Sequence, residues 1–394
     1  MGHPLDAVPE SGIARIRDLM LAIDRPFRLD QGDVSFDVPD AVKEAIRRAV
    51  AENRTHYLPT LGLPPLRERL MEKVRTRNEL PVRGVDEVFV TAGGMHGLFI
   101  TCQALLNAGD EVIVPDPEWP PVVGNVTAAQ GVAVPCPLHE RLGWRYNLDE
   151  LEGRITRRTR AIYVNSPHNP TGSILRRADL ERIAEIASRH DLRLIADEAY
   201  EDIVYDSAEH VSLGSLPGLH ERTISLFTFS KSFAMTGLRL GYVVVRDPEL
   251  RRRMAKVLYY SSSNVSSLVQ HAGVGALEAG AEVIRGFRDE LAARRDLFFS
   301  GIDQLGGHVL KGTPPEGAFY AFLRIDDGWT AGAEDEEGSR CWRFAKHLIT
   351  GAKIGSVPGA EFGANGAGYV RFCFARGREE LDGALSALGR LLGS

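Results

Sequence analysis

Short apolar runs that are rich in β-branched residues alternate with amphipathic stretches through the middle of the chain. This alternation is typical of βαβ units around a parallel sheet, and several runs are apolar throughout, as strands buried on both faces should be. The predicted strands cover residues 88–91, 112–114, 161–164, 192–196, 223–227 and 240–245. The pattern therefore predicts an α/β protein.

One of the amphipathic stretches, residues 176–190, repeats its apolar positions at helical spacing. Leu180, Ile183, Ala184 and Ala187 fall on one face of a helix built from this segment. The opposite face is charged and is expected to lie in solvent. The segment therefore predicts a helix that covers one side of the sheet.

The C-terminal part of the chain has a different pattern. From about residue 283 it reads as a long charged helix, followed by strand and helix pieces and a last helix near the end. Because 394 residues exceed the usual size of one hydrophobic core, we expect a second, smaller domain. The expected units are an N-terminal arm with part of the small domain at 1–44, a large domain at 45–284 and the small domain at 285–394. The acidic stretch 327–339 should form an exposed loop.

Composition narrows the functional classes. The 47 Lys and Arg residues against 53 Asp and Glu residues give a net charge of -6, which offers no electrostatic footprint for nucleic acid. No apolar run approaches the roughly 20 residues that span a bilayer, and the first residues lack the pattern of a secretory signal, so we expect a cytoplasmic protein with no membrane partner. The four cysteines show no CxxC spacing, which disfavours disulfides and a metal site.

Unusual residues follow four of the predicted strands. In open α/β sheets ligands bind at the carboxyl ends of the strands, so these positions are candidates for a site. After 88–91, Gly93 and Gly94 precede a helix whose free N–H groups could hold a phosphate, although a plain turn explains them equally well. After 161–164, two prolines and a glycine shape a rigid loop that carries Asn169.

The other two strands are followed by charged groups. Asp197 ends one of them, with Tyr200 close behind, and a carboxylate at the end of a buried strand needs a partner. A protonated ring nitrogen would serve, and a structural salt bridge or a helix cap is the alternative. After 223–227 come Ser230, Lys231 and Arg239, which offer an amine for an imine and polar groups for a phosphate.

Taken in order, these segments resemble the class I and II aminotransferases of the fold type I pyridoxal-phosphate enzymes. The resemblance covers nearly the whole chain and is carried by LDQGDVSFDVP, YLPTLGLPPLRERL, AGGMHG, PDPEWP, NSPHNPTG, ADEAY, SKSFAMTGLRLGY and PGAEFGANGAGYVRFCFA. It implies a large domain with a mostly parallel seven-stranded sheet flanked by helices, plus a smaller α+β domain. It also implies pyridoxal 5′-phosphate as cofactor.

The resemblance assigns roles around the cofactor ring. Lys231 would carry the cofactor as a Schiff base and later move a proton between the substrate Cα and the cofactor. Asp197 would keep the pyridine nitrogen protonated, so that the ring can accept electrons. Asn169 and Tyr200 would hydrogen-bond the phenolic oxygen, and Trp119 would stack on the ring.

The resemblance also places the phosphate and the substrate. Residues matching the family's phosphate site are Gly93, Gly94, Met95, Thr228, Ser230 and Arg239, with the backbone alone contributing at Met95, where many relatives carry a polar side chain. Arg371 would clamp the substrate α-carboxylate, near Asn169 and the backbone of Gly32, and Ile13 lies in the stretch that closes over substrate. Tyr57 matches a tyrosine that reaches the neighbouring subunit's phosphate, which implies a homodimer with shared active sites.

The implied activity is a ping-pong aminotransferase (EC 2.6.1.-) that moves an amino group from an L-amino acid to a 2-oxo acid. Lyases, cyclases and amino-acid oxidases on the same scaffold are the alternative reading, because they share the lysine, the aspartate and the arginine. A regulatory module without catalysis is disfavoured, since the chain carries no additional basic helix-turn-helix segment. Segments 92–111 and 259–267 hold no Lys or Arg, which argues against an enzyme dedicated to aspartate, and Glu118 could meet a basic or polar substrate.

Overall fold

A computed structural model of the chain describes residues 4–305, 307, 309–330 and 339–393. Residues 331–338 of the predicted acidic loop lie outside these ranges. Within them, the chain forms a large sheet and a small sheet, with helices against both. Helices and strands are numbered separately in chain order below.

The large sheet has eight strands among the described residues, in the order β1-β8-β7-β6-β5-β2-β3-β4. They are β1 Val88–Thr91, β2 Glu111–Asp116, β3 Val132–His139, β4 Arg145–Tyr146, β5 Thr159–Asn165, β6 Arg193–Asp197, β7 Thr223–Thr228 and β8 Gly241–Val245. Strands β3, β2, β5, β6 and β7 are adjacent in that order, and each is parallel to the next. Strand β8 is antiparallel to both β1 and β7, and β4 is antiparallel to β3. The predicted mostly parallel α/β architecture is confirmed.

The sheet differs from expectation at one edge. The family resemblance implied seven strands, and the eighth is the two-residue strand Arg145–Tyr146, which pairs with Leu138 and His139 at the end of β3. Strand β3 itself escaped the hydrophobic pattern because it contains Pro135 and Pro137 and is only partly buried. Proline cannot donate to a ladder, so strands that contain it lie near sheet edges and lack a clear strand signature.

The helices are α1 Gly12–Leu21, α2 Asp40–Ala51, α3 Pro64–Thr76, α4 Gly94–Leu105, α5 Pro121–Ala128, α6 Leu148–Gly153, α7 Arg177–Arg189, α8 Phe229–Ser232, α9 Pro248–Ser262, α10 Ser267–Gln304, α11 Arg340–Ala352 and α12 Arg378–Leu392. Helix α7 confirms the helix predicted over 176–190, with Arg176 and His190 as its caps. Helix α10 bends at Gly280, whose φ of 78° is not helical. No helix in the described ranges is long and apolar enough to cross a membrane.

Both faces of the large sheet are covered, as the continuously apolar strands predicted. On one face, Val112 and Val114 of β2 pack with residues of α4, α5 and α9. On the other face, Ile113 of the same strand packs with residues of α6 and α7. Because successive side chains of a strand point to opposite faces, a strand with helices on both sides must be apolar at every position.

The small sheet is antiparallel, in the order β11-β12-β10-β9. Its strands are β9 Leu310–Lys311, β10 Tyr320–Ile325, β11 Val357–Pro358 and β12 Tyr369–Cys373. It shares an apolar core with the C-terminal half of α10 and with α11 and α12. Leu29 and Val34 belong to the same core, so the segment that precedes α2 lies against the small sheet. This segment brings the chain to the edge of the cleft described next.

Candidate active site

A cleft opens where strands β5, β6 and β7 end. Asn165, Asp197 and Thr228 are the last residues of these strands, and all three line the cleft. The opposite wall comes from the small sheet and from the N-terminal segment. The lining residues are Ile13, Gly32, Gly94, Met95, Trp119, Asn165, Asn169, Asp197, Ala199, Tyr200, Thr228, Ser230, Lys231, Arg239, Tyr320 and Arg371. Most of the residues singled out from the sequence therefore meet at one place.

Lys231 lies in the short helix α8, which begins directly after β7. Its Nζ donates a hydrogen bond to the Gly32 carbonyl at 2.7 Å, and it lies 5.4 Å from the centre of the Phe319 ring. Burial lowers the pKa of this amine to about 8, with Asp33 opposing the shift. With this pKa about a tenth of the Lys231 amine is unprotonated at pH 7, far more than for an ordinary lysine, and a nucleophilic or basic amine must be unprotonated.

Asp197 is half-buried at the end of β6, where it lines the cleft. The Tyr163 hydroxyl donates to its Oδ2 at 2.6 Å, and the Ala199 N–H donates to its Oδ1 at 3.1 Å. Burial raises the pKa of the carboxyl to about 6. No Lys, Arg or His of the described chain forms an ion pair with it, so the structural salt bridge considered above is not found. A half-buried carboxylate without a cation suits a cationic ligand.

The glycine turn between β1 and α4 lies against Arg239. Gly93 has a φ of 82°, and a Cβ atom built on it would lie 2.4 Å from Arg239 Nη2. Gly94 and Met95 begin α4 and both line the cleft, where Met95 is 42% exposed. Backbone N–H groups at a helix start, beside a guanidinium, form a site for an anion.

Two hydroxyls complete this anion site. Thr228 caps the start of α8, and its Oγ1 donates to Ser230 Oγ at 2.9 Å. The Ser230 side chain is 5% exposed and lines the cleft. Both hydroxyls lie on the strand-to-helix connection that also carries Lys231, so amine and anion site share one short segment.

Arg371 enters the cleft from β12 and is 2% exposed. Its Nη1 donates to Asn169 Oδ1 at 2.9 Å and its Nη2 to the Asp30 carbonyl at 3.0 Å, while Nε is buried without a partner. Its guanidinium also lies 4.3 Å from the centre of the Tyr320 ring. In the described chain no carboxylate pairs with Arg371, so this buried cation is suited to an acidic ligand.

Two residues named from the sequence do not line the cleft. Tyr57 is 89% exposed, and the contact expected of it, with the phosphate of a neighbouring subunit, lies outside a single chain. The structure also does not place Glu118 where a substrate could meet it. Its side chain is 2% exposed, and its Oε1 accepts from the Trp119 N–H at 2.7 Å and from Asn165 Nδ2 at 2.9 Å. Glu118 therefore connects the segment after β2 to the end of β5.

Three residues in or beside the site were not predicted from the sequence. Asn165 ends β5 directly before the loop already singled out, so its position after a strand was an available signal. Tyr163 and Tyr320 lie inside strands, where an aromatic side chain gives no sign that its hydroxyl faces a site. Only the fold shows that the Tyr320 hydroxyl lies 2.7 Å from the hydroxyl of Tyr200.

The fold and the cleft define a two-sheet α/β protein that sets a lysine amine, an aspartate carboxylate, a glycine turn beside one guanidinium and a second, buried guanidinium around one space. The family model "Aminotransferase class I and II" matches residues 25–388. The chain belongs to this family, as the resemblance of its motifs indicated.

Individual relatives agree over their full lengths. An aspartate aminotransferase of Pyrococcus abyssi is 36% identical over 100% of this chain and 98% of its own. Aromatic-amino-acid aminotransferase 2 of Thermococcus litoralis is 35% identical over 98% of this chain and 97% of its own. The solved structure of the aspartate aminotransferase from Thermus thermophilus with maleate superposes with a TM-score of 0.90, at 36% identity, covering 99% of both chains.

Proposed function

We propose that this protein is a pyridoxal-phosphate-dependent aminotransferase (EC 2.6.1.-) that moves an amino group from an L-amino acid to a 2-oxo acid by a ping-pong mechanism. The observation that carries the proposal is the cleft shared by Lys231, Asp197 and Arg371. It presents an amine with a lowered pKa, a carboxylate without a cation and a guanidinium without an anion. An aldehyde cofactor with a basic ring nitrogen and an α-amino acid would satisfy all three.

The residues present fit the cofactor. Its phosphate would lie at the glycine turn, held by the backbone of Gly93, Gly94 and Met95 and by Ser230, Arg239 and Thr228. A side chain at Gly93 would collide with Arg239, so glycine at this position lets the Arg239 guanidinium lie directly on the turn. Trp119 would lie on the ring, Asn169 and Tyr200 would bind the phenolic oxygen, and Asp197 would meet the ring nitrogen. When bound, pyridoxal 5′-phosphate supplies an aldehyde for the amine and a ring that accepts electrons.

Each of the three charged groups would then have one task. Lys231 Nζ would take the proton from the substrate Cα, and its low pKa makes it a base at neutral pH. Asp197 would hold a proton on the ring nitrogen through its negative charge. Arg371 would bind the α-carboxylate with both Nη groups in place of its bonds to Asn169 and Asp30, which orients the Cα–H bond.

We also propose a homodimer in which Tyr57 reaches the partner's phosphate site. Tyr57, Tyr259 and Tyr260 are 89%, 55% and 85% exposed in the single chain, which is unusual for aromatic residues. The end of α9 that carries Tyr259 and Tyr260 lies beside α4, where His96 Nε2 and Ser261 Oγ are 3.0 Å apart. The surface around the cleft is therefore suited to contact with a second copy. The four buried, unpaired cysteines suit a reducing, cytoplasmic location.

Lyases, cyclases and amino-acid oxidases would use the same amine, carboxylate and guanidinium. Transfer is favoured because the relatives reported above are all named aminotransferases. The charges in the cleft bear on the choice of substrate. In the described chain the cations that line the cleft are Lys231, Arg239 and Arg371, and each already has a proposed role. Ile13 and Met95 add apolar surface, so we propose an amino donor with an uncharged side chain.

The proposal is tested by a half-reaction. Protein saturated with pyridoxal phosphate is mixed, without acceptor, with a panel of amino acids that includes aspartate, glutamate, aromatic and aliphatic members. We expect the visible absorbance band to bleach and one equivalent of 2-oxo acid to form. Ammonia release, oxygen consumption or a cyclised product would establish one of the alternative chemistries, and a clear preference for aspartate and glutamate would overturn the proposed donor class.

A matched pair of variants tests the amine. Lys231→Ala should abolish the bond to the cofactor that borohydride reduction traps, as detected by mass spectrometry. Lys311→Ala removes a lysine whose side chain is 57% exposed and should leave the trapped bond unchanged. A Lys231→Ala protein that still forms the reducible bond would refute the central assignment.

A further inference from the structure

Tyr320 has no part in the proposed function so far, yet it contacts several residues of the proposed site. It is the first residue of β10, its side chain is 2% exposed, and it lines the cleft from the small-sheet side. Its hydroxyl lies 2.7 Å from the hydroxyl of Tyr200, which belongs to the connection after β6 in the large sheet. Its ring lies 4.3 Å below the Arg371 guanidinium. One side chain thus contacts a residue proposed for the cofactor and a residue proposed for the substrate.

The tyrosine also bounds the place where Lys231 is held. A Cβ atom on Gly32 would lie 2.5 Å from the Tyr320 hydroxyl, so that hydroxyl packs directly on the Gly32 backbone. The carbonyl of Gly32 is the group that accepts from Lys231 Nζ at 2.7 Å. A shift of Tyr320 would therefore displace the Gly32 backbone, whose carbonyl positions the Lys231 amine.

We propose that Tyr320 is a positioning residue that serves both halves of the reaction, its hydroxyl orienting Tyr200 toward the cofactor and its ring seating Arg371 for the substrate carboxylate. This inference rests on the proposed function, and it concerns a residue that the motifs of the sequence did not single out. Tyr320 and Arg371 lie on paired strands of the small sheet, while Tyr200 lies in the connection after β6 of the large sheet. Tyr320 therefore joins the two walls of the cleft.

The direction of the hydrogen bond between the two tyrosines follows from their chemistry. Burial raises the pKa of Tyr320 to about 12 and that of Tyr200 well above 10, so each hydroxyl keeps its one proton at neutral pH. If the Tyr200 proton is donated to the phenolic oxygen of the cofactor, the proton between the two tyrosines must come from Tyr320. A hydroxyl that accepts a hydrogen bond is a stronger donor, so Tyr320 strengthens the bond that Tyr200 makes.

Two substitutions separate the hydroxyl from the ring. Tyr320→Phe keeps the ring under Arg371 and removes the hydrogen bond to Tyr200. Tyr320→Leu removes both while leaving a shorter apolar side chain. The chain also offers a matched control in Tyr205, which is 2% exposed, donates to the Ala318 carbonyl at 2.6 Å and lies 4.8 Å from Arg295, outside the cleft. Tyr205→Phe loses the same kind of bond beside the same kind of cation.

The first measurement is the pH titration of the visible absorbance of the cofactor-bound protein. A donor to the phenolic oxygen stabilises its negative charge, which is greatest when the Lys231–cofactor linkage has lost its proton, so a weaker donor favours the protonated linkage. Tyr320→Phe should therefore raise the titration midpoint by roughly half a unit or more, and Tyr205→Phe should not move it. Apart from Tyr320 itself, the charged and titratable groups near Lys231 are the same in both variants; they include Asp33, Asp197, Tyr200, Arg239, Arg371 and Cys373.

The second measurement separates kcat from KM. Tyr320→Phe should lower kcat roughly 3- to 10-fold, which is the usual value of one hydrogen bond, with KM for the amino acid changed less than about twofold. Tyr320→Leu should show the same loss of kcat and also raise KM by about fivefold or more, because Arg371 loses the nearer of its two ring contacts and retains the one with Phe362, at 4.9 Å. Thermal unfolding of all three variants separates a loss of stability from these effects.

The outcomes are distinct from those that test the proposed function. The absorbance titration requires only bound pyridoxal phosphate, so it tests Tyr320 even if the protein does not transfer amino groups. If Tyr320→Phe titrates like both the wild-type protein and Tyr205→Phe, or if KM rises equally in the Phe and Leu variants, the positioning role is wrong. A midpoint that shifts in Tyr320→Phe alone, with a KM change confined to Tyr320→Leu, is the result that the geometry requires.

Discussion

Lys231, Asp197 and Arg371 stand in the cleft without an ion-pair partner within the described chain. Other charged side chains with little exposure do have a partner of opposite charge, as Lys73 has in Glu201. Burying a charge without a partner lowers stability, so such positions concentrate where a ligand supplies the missing charge. At the residue scale, the site is recognised by the charges that the fold leaves for a ligand.

The lowered pKa of Lys231 makes a pH-dependent prediction for the cofactor-free protein. Burial disfavours the charged amine and lowers its pKa to about 8, whereas an ordinary lysine titrates near 10.5. The unprotonated fraction therefore rises about tenfold per unit below pH 8 and levels off above it. The rate at which the cofactor-free protein forms its visible band with pyridoxal phosphate should follow this curve, as stopped-flow absorbance would measure.

Nα-acetyl-lysine in the same buffers is the control for this measurement, since its rate should keep rising to well above pH 9. A rate for the protein that also continues to rise toward pH 10 would mean that Lys231 has the pKa of a solvent-exposed lysine. The burial of the amine, as described here, would then be wrong.

At the scale of elements, the turn from β1 into α4 combines a conformation and a contact that both require glycine. Gly93 has a φ of 82°, and Gly109, in the turn before β2, has the same φ. A Cβ atom on Gly93 would collide with Arg239, whereas one on Gly109 would meet nothing within 4 Å. The pair separates backbone strain from obstruction of the anion site.

Gly93→Ala and Gly109→Ala should therefore differ in one property. Both should lose about 1–2 kcal/mol of unfolding free energy, because an L-residue is strained at this φ. Gly93→Ala alone should weaken the binding of pyridoxal phosphate, by roughly tenfold or more, because Arg239 must move. Chemical denaturation and equilibrium dialysis measure the two quantities, and equal cofactor affinities would contradict the proposed phosphate position.

At the scale of the whole molecule, the two sheets meet through a few polar contacts across the cleft. Arg371 of the small sheet donates a hydrogen bond to Asn169 in the loop after β5, and the hydroxyl of Tyr320, also of the small sheet, is hydrogen-bonded to that of Tyr200. Lys231 in turn binds Gly32 of the N-terminal segment. An amino acid and a cofactor that enter the cleft would replace or shift each of these hydrogen bonds. Ligand binding is therefore expected to change how the two walls of the cleft are held against each other.

The proposed dimer predicts complementation between two defective variants. If Tyr57 acts in the partner's site, a mixed dimer of Lys231→Ala and Tyr57→Ala chains has one site with both lesions and one with neither. Refolding the two variants together at limiting pyridoxal phosphate should restore about a quarter of the wild-type activity, because half of the dimers are mixed and each has one intact site.

The control mixture combines Lys231→Ala with Arg371→Lys, two positions that line the same cleft within one chain. Every site in that mixed dimer keeps one lesion, so no activity should return. Absence of recovery in the Tyr57 mixture as well, with dimers detected by sedimentation, would show that the active sites are not shared through Tyr57.

Local patterns were sufficient for much of the fold and for most of the site. The strands that end at Asn165, Asp197 and Thr228 are buried on both faces and so read as apolar runs, and α7 shows a regular apolar face. The family motifs then named most of the residues that line the cleft, with their roles still to be tested. The domain boundaries also stay a prediction.

What local patterns could not supply depends on neighbours distant in the chain. Strand β3 exists because β2 pairs with it, despite its prolines. Glu118 was a candidate for substrate contact, yet it is buried and accepts a hydrogen bond from Asn165 at the end of β5. Tyr320 could not be distinguished from a core aromatic by its position in the sequence. The sequence by itself determined which segments become strands and helices and which reactive residues follow them, because these depend on spacing along the chain. Only the tertiary structure decided which groups are buried together, and burial is what lowers the Lys231 pKa and sets Tyr320 between Tyr200 and Arg371.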